Sequence, residues 1–213
     1  MGKIIIFLGS YFFLCFNCIA QSQKYFEGEI TYQNSYKPKM ANFNINIPKT
    51  LFGSGSRLSF KEGNFRHDYD GGIFEFDIYN KTDNKLYVKK RNNDTIYWID
   101  CSLPGKEIKN FKLILKKENI MGIDCDQLIV QYGKGTSVNY YNSDSIAANP
   151  SWFKDFKLDG ENLIDEKEKS IFLKSENEFD DFFVIATATK ISRHKIDEGI
   201  FKISADSILS KIE

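Results

Sequence analysis

The chain has 213 residues, with 29 Lys and Arg against 29 Asp and Glu, and 15% aromatic side chains. Balanced charge gives no electrostatic reason to hold nucleic acid or an anionic membrane surface, and the length suits one domain with a sizeable core. Two His and four Cys, widely scattered, lack the ligand spacing of a structural metal site, so no metal and no cofactor is expected.

The first twenty residues, MGKIIIFLGSYFFLCFNCIA, carry Lys3, then no charge from Ile4 to Ile19, and end in Cys18-Ile19-Ala20. This is the plan of a secretory signal peptide, and the uncharged run is shorter than the roughly 20 apolar residues of a membrane span. The expectation is a leader over 1–20 and a single domain over 21–213, exported across an inner membrane to the periplasm or cell surface. No later stretch is long and apolar enough to be a transmembrane helix.

From Phe26 onward, apolar residues recur at every second position between Gly, Asn and Asp clusters, as half-buried strands do. FEGEITYQ (26–33) and FNINI (43–47) read as strands. RLSF, FRHDYD, IFEFDIY, KLYVKK and TIYWIDC follow as hairpins joined by KEGN, DGG, NKTDN and RNND, clusters that accommodate positive φ or cap a turn. FKLILKK, CDQLIVQY and TSVNYYN continue the series, the first two placed in a meander after TIYWIDC.

At NPSWFKDFKLDG the pattern changes. Asn149-Pro150 suits a cap and first-turn proline, and Trp152, Phe153 and Phe156 share helical spacing, so a short helix or ordered loop is expected across the sheet. Strands resume at SIFLKS and at DFFVIATATKISRH, where Phe183, Ile185, Thr187, Thr189 and Ile191 alternate with Phe182, Val184, Ala186 and Ala188. A strand this long curves, and its small residues leave room for the chain's own helical segment or for a ligand. The tail, GIFKISADSILSKIE, is expected to end in a helix.

These residues resemble an envelope-protein family. Phe26-x-Gly28-x-Ile30-x-Tyr32, Ile120-x-Gly122-x-x-Cys125, VNYYNSDSIAANPSWF, the Gly160 to Ile164 element and the closing GIFKI are similar to the GLPGLI proteins and a neighbouring uncharacterised secreted family of Gram-negative bacteria. Where the former would read Gly-Leu-Pro-Gly-Leu-Ile this chain has LDGENLI, closer to the neighbour. The resemblance implies a mainly β fold: a strongly curved, open antiparallel half-barrel, shaped like the lipoprotein carriers LolA and LolB, with a helical segment on its concave side. It brings no catalytic residues.

Cys101 and Cys125 read as buried small hydrophobes, with a disulfide as the alternative. His67 and His194 read as solvated strand residues, without a nucleophile placed beside them. DYDGG lacks the ligands of a calcium loop and reads as a hairpin turn.

No polar set converges in the sequence to suggest an enzyme. The leading expectation is a non-enzymatic protein whose concave face binds a lipid or other apolar ligand through Trp152, Phe153, Phe156, Val184, Ala186 and Ala188. The alternative is an interaction module that docks another envelope protein by its convex face or an edge strand.

Overall fold

A computed structural model describes residues 24–212, so the leader expected over 1–20 lies outside the described residues. The domain is mainly β. Strands β1 (Gly28–Pro38), β2 (Gly55–Lys61), β3 (Asn64–Asp70), β4 (Phe74–Asn80), β5 (Lys85–Lys90) and β6 (Thr95–Asp100) are followed by β7 (Ile108–Ile120), β8 (Ile123–Tyr132) and β9 (Thr136–Tyr141). After a helical stretch come β10 (Phe172–Glu178), β11 (Phe182–Arg193) and β12 (Ile208–Lys211). All belong to one sheet in the order β12-β6-β5-β4-β3-β2-β1-β11-β10-β9-β8-β7, antiparallel except for the β12–β6 pair. The sheet is open, because β12 and β7 lie at opposite edges and do not pair.

Its curvature follows from the core. Tyr79 on β4 and Cys125 on β8 belong to one buried cluster, together with Ile30, Phe60, Tyr140, Leu173 and Ala188. Seven strand spacings separate β4 from β8, roughly 34 Å across a flat sheet at about 4.8 Å each. The sheet must therefore bend around the cluster. On the opposite face, Ile78, Tyr87 and Ile96 are covered by Ile196 and Phe201 from the segment before β12. Neighbours Ile78 and Tyr79 are both 1% exposed, so β4 is covered on both faces.

The bend is helped at β1–β11. The register passes from Thr31↔Lys190 to Tyr32↔Ala188, leaving Thr189 as an extra residue whose hydroxyl donates to the Thr31 carbonyl at 3.2 Å. A bulge of this kind kinks and twists the strand. It also moves Ile191, opposite Ile30, onto the face of Ala188, whereas strict alternation had set it with Phe183.

Two motif glycines have plain backbone reasons. Gly28 has φ +146°, and a Cβ there would lie 2.1 Å from the Ser192 carbonyl, so only glycine allows β1 to approach β11 so closely. Gly122, at φ +83°, follows Met121 at φ +55° in the tight β7–β8 turn, where two successive positive φ values fit a primed hairpin turn.

Three expectations are corrected. FNINI is not a strand: residues Asn46–Phe52 form α1, the Asn44 side chain accepts from the Asn46 amide at 3.0 Å, and Pro48, which cannot donate to a ladder, sits buried in the first turn. The tail ends as β12, paired in parallel with β6, rather than as a helix. β7 does not continue a meander from β6; the two lie near opposite edges of the sheet.

Cys101 and Cys125 are free thiols, each fully buried in the main core. Burial is the main cause that raises them, Cys101 to about 12 and Cys125 to about 11. Neither should react with a thiol reagent in the native protein near pH 8, and both should react after denaturation. Rapid native labelling at either position, located by peptide mapping, would contradict the packing.

Candidate functional site: a two-faced cavity under the helical segment

Asn149 caps a 3-10 turn at Pro150–Phe153, its side chain accepting from the Ser151 amide at 3.1 Å, with proline at the first position as expected. A second such turn, Leu158–Gly160, leads into α2 (Glu161–Glu168). This stretch lies across the hollow of the sheet. Phe156 stacks on Tyr79 with ring centroids 4.5 Å apart and also on Phe65, while Phe153 packs on Phe60 and Tyr79. At the far end Ile164 packs with Leu128, Val130 and Tyr141 on β8 and β9.

Backbone and side-chain bonds hold the span in place. The amide of Lys157 donates to the Cys101 carbonyl at 2.6 Å, the Asn84 side chain donates to the Asp155 carbonyl at 2.8 Å, and Asp159 Oδ1 accepts from the Lys106 amide at 2.7 Å. Asp159 also pairs with the Lys106 ammonium at 3.2 Å.

Between this span and the sheet lies a cavity of about 390 Å³. One part of its wall is apolar and aromatic: Leu58, Phe60, Phe65, Phe153, Phe156 and Ile171. Another is polar and comes from both sides. The sheet contributes His67, Tyr69 and Asp77, with His67 Nδ1 3.2 Å from Asp77 Oδ1 and the Tyr69 hydroxyl donating to Asp77 Oδ2. Facing them, α2 contributes Glu161, Asp165 and Glu168. Their spacing of four and three residues puts all three on the helix face that also carries Ile164.

Enclosure in the concavity shapes the chemistry of these carboxyls. Glu168 is only 3% exposed and its Oε1 accepts from the Asn139 amide group at 2.9 Å. Burial pushes Glu168 up to about 8 and Glu161 to about 7, and it raises Asp165 well above the ordinary carboxylate range, with Glu161 and Glu168 adding like-charge repulsion at Asp165. On the opposite wall, burial and then the Asp77 carboxylate hold the Tyr69 phenol protonated. Among the described residues no three His, Cys, Asp or Glu side chains are grouped so as to hold a metal ion.

Of the residues expected to bind a ligand, Phe153 and Phe156 line the cavity, whereas Trp152, Val184, Ala186 and Ala188 are not among its walls. Trp152 packs outside it against Tyr25 and Phe60. Ala186 and Ala188 pack in the main core, and Tyr32, cross-strand from Ala188, fills the room that the small residues leave, its hydroxyl bonded to the Phe172 carbonyl at 2.7 Å. Val184 is buried between Tyr36 and Asn177 on the flanking strands.

His67, expected in solvent, is a half-buried wall residue. The α2 carboxyls were missed because ENLIDEKE, between the expected helical stretch and SIFLKS, carried no expected element. The only signal was that Glu161, Asp165 and Glu168 share the side of Ile164.

No family model matches the chain, and no curated protein matches it. Among solved structures, PNGF-II in a P21 space group superposes with a TM-score of 0.48 at 15% identity, over 88% of this chain and 32% of that one. The chain thus spans about a third of the length of that protein. No helix among the described residues is long and apolar enough to cross a membrane.

Proposed function

We propose that this chain is a non-enzymatic binding protein of a Gram-negative envelope, at the periplasm or cell surface, that takes a small lipid or other apolar-bodied molecule into the cavity beneath residues 150–168. The observation that carries the reading is the cavity itself. Its volume of about 390 Å³ falls within the range of small-molecule sites, and its aromatic wall is apolar surface that a ligand would remove from water. The leader pattern of residues 1–20 and the Phe-x-Gly-x-Ile opening support the envelope assignment. Native mass spectrometry of the protein mixed with lipid extracts and with straight-chain alcohols should show one bound molecule per chain. Failure of every such probe to bind would end the reading.

A second reading, a docking module for another envelope protein, is favoured by the β7 edge. This strand has thirteen residues, one sheet neighbour, and Leu113 and Leu115 exposed at 54% and 67%. Leu115→Lys should then abolish co-purification of a partner from envelope extracts while leaving ligand binding in the cavity intact.

A further inference from the structure

We infer that the cavity selects a cationic amphiphile, a protonated amine on an apolar body, with the ammonium held at the α2 face and the body against the Phe65, Phe153 and Phe156 rings. This inference rests on the proposed cavity-binding role and specifies its ligand class.

The charge inventory of the cavity wall carries it. Of the wall's five carboxyls, Asp159 is already matched by Lys106, and Asp77 is occupied by His67 and Tyr69. Glu161, Asp165 and Glu168 remain. No ion pair within 4.0 Å involves any of them among the described residues. Glu168 receives one neutral hydrogen bond, from Asn139. The carboxyl of half-buried Asp165 receives no hydrogen bond from any described side chain, and its backbone carbonyl is taken by the Lys169 amide.

The nearest cations are already turned elsewhere. Lys167, on the outer side of α2, lies over the Phe111 ring at 4.6 Å, and Lys106 is held by Asp159. A cavity wall that carries three carboxyls without an ion pair, and no Lys or Arg, lacks a positive group, and an ammonium ion supplies it. Aromatic faces beside that position favour a cation as well, whereas they are indifferent to an alcohol and offer nothing to a carboxylate.

The same geometry excludes an anionic occupant. A fatty acid or phosphate would place negative charge beside three groups that already repel one another, in surroundings where such repulsion is poorly screened. A neutral apolar molecule would fit the rings and leave the carboxyls unmatched.

The dependence on pH has a definite sign. Besides one another, the α2 carboxyls face Asp159 and Lys106 at the helix start and Tyr132 and Tyr141 on the strands beneath. Tyr79 and Cys101 lie toward the phenylalanine end, and His67, Tyr69 and Asp77 stand on the opposing wall. The tyrosines and the thiol stay protonated throughout the working range, so Glu161, raised to about 7, and Glu168, raised to about 8, supply negative charge that grows as pH passes through these values. An alkylamine, like a lysine side chain, keeps its charge until about pH 10. Its affinity therefore rises as pH passes through the two glutamate values.

The test is calorimetric titration of the protein with octylamine, octanol and octanoate near pH 8.5 and near pH 5. Octylamine should bind at least tenfold more tightly than octanol at the higher pH, octanoate should not bind, and the amine's advantage should shrink at least fivefold at the lower pH. Paired substitution Glu161→Gln with Asp165→Asn should remove the advantage without affecting octanol, and Glu166→Gln, on the exposed side of α2, should change nothing. Equal binding of amine and alcohol would overturn the inference while leaving the cavity role standing, and binding of neither would overturn both. If the paired variant does not fold, the pH response of the unsubstituted protein decides the matter, since a flat or inverted response is incompatible with carboxylate recognition.

Discussion

Replacing Phe156 with alanine should lower the unfolding free energy by about 3–5 kcal/mol, the usual cost of removing a buried phenylalanine. Phe156 is 6% exposed and stacks on both Tyr79 and Phe65, so its ring packs the helical span onto the β3–β4 side of the sheet, beside Phe153 on Tyr79. A cavity left there cannot close easily, because Tyr79 is held in place by its hydroxyl bond to Asn84 and the span by the Asn84 bond to the Asp155 carbonyl. For a domain of this size the melting temperature should fall by about 6–20 °C. Ligand affinity should fall as well, since the same ring is a wall of the cavity. A drop of under 2 °C in differential scanning calorimetry would mean that the span is held mainly by its polar anchors.

Stability should decrease as the solution becomes more alkaline, and Glu168→Gln should remove much of that decrease. The carboxyl of Glu168 is raised from 4.5 to about 8 by burial, so between these values the folded chain holds a proton that the unfolded chain has released. Its contribution is fully present below about pH 4.5, declines as pH rises, and levels off once pH passes the folded value. For a group 3% exposed, the total change is on the order of 3–5 kcal/mol. Glutamine keeps an oxygen to accept from Asn139 and carries no charge at any pH. The variant should match the unsubstituted protein near pH 5 and melt several degrees higher near pH 8.5. Urea unfolding at the two pH values measures this, and a variant less stable at both would show that the carboxylate itself is favourable.

The two expected effects point to the same economy of structure. A helix that closes a hollow with aromatic rings at one end brings its polar face inside at the other, and the free protein bears a repulsion on that face that grows as the carboxyls ionise above neutral pH. A bound cation would relieve it. Ligand-induced stabilisation should accordingly be larger near pH 8.5 than near pH 5, in parallel with affinity.

Much of the fold was legible in the chain. Alternating apolar residues and turn clusters placed β2 through β6 within a residue or two, because a hairpin is a local object: RLSF, FRHDYD and KLYVKK pair with immediate neighbours across KEGN, DGG and RNND. Asn149-Pro150 announced its 3-10 turn for the same reason, since cap and constrained φ act within four residues. FNINI misled because alternation alone does not reveal whether a partner strand exists. Pro48 and the Asn44 side chain supplied a local alternative, and Ile45 and Ile47 ended about half exposed.

What the sequence by itself determined, then, is a mainly β chain of successive hairpins interrupted by one aromatic helical span, because turn chemistry and period-two burial are written in adjacent residues. Tertiary structure alone decided that β12 pairs in parallel with β6, that Tyr32 fills the space beside Ala188, and that Glu161, Asp165 and Glu168 face a cavity. The physical reason is that a concave sheet encloses a helix from more than one side. Which face of α2 is enclosed then depends on where the hollow lies, and its location is set by contacts between strands far apart in the chain.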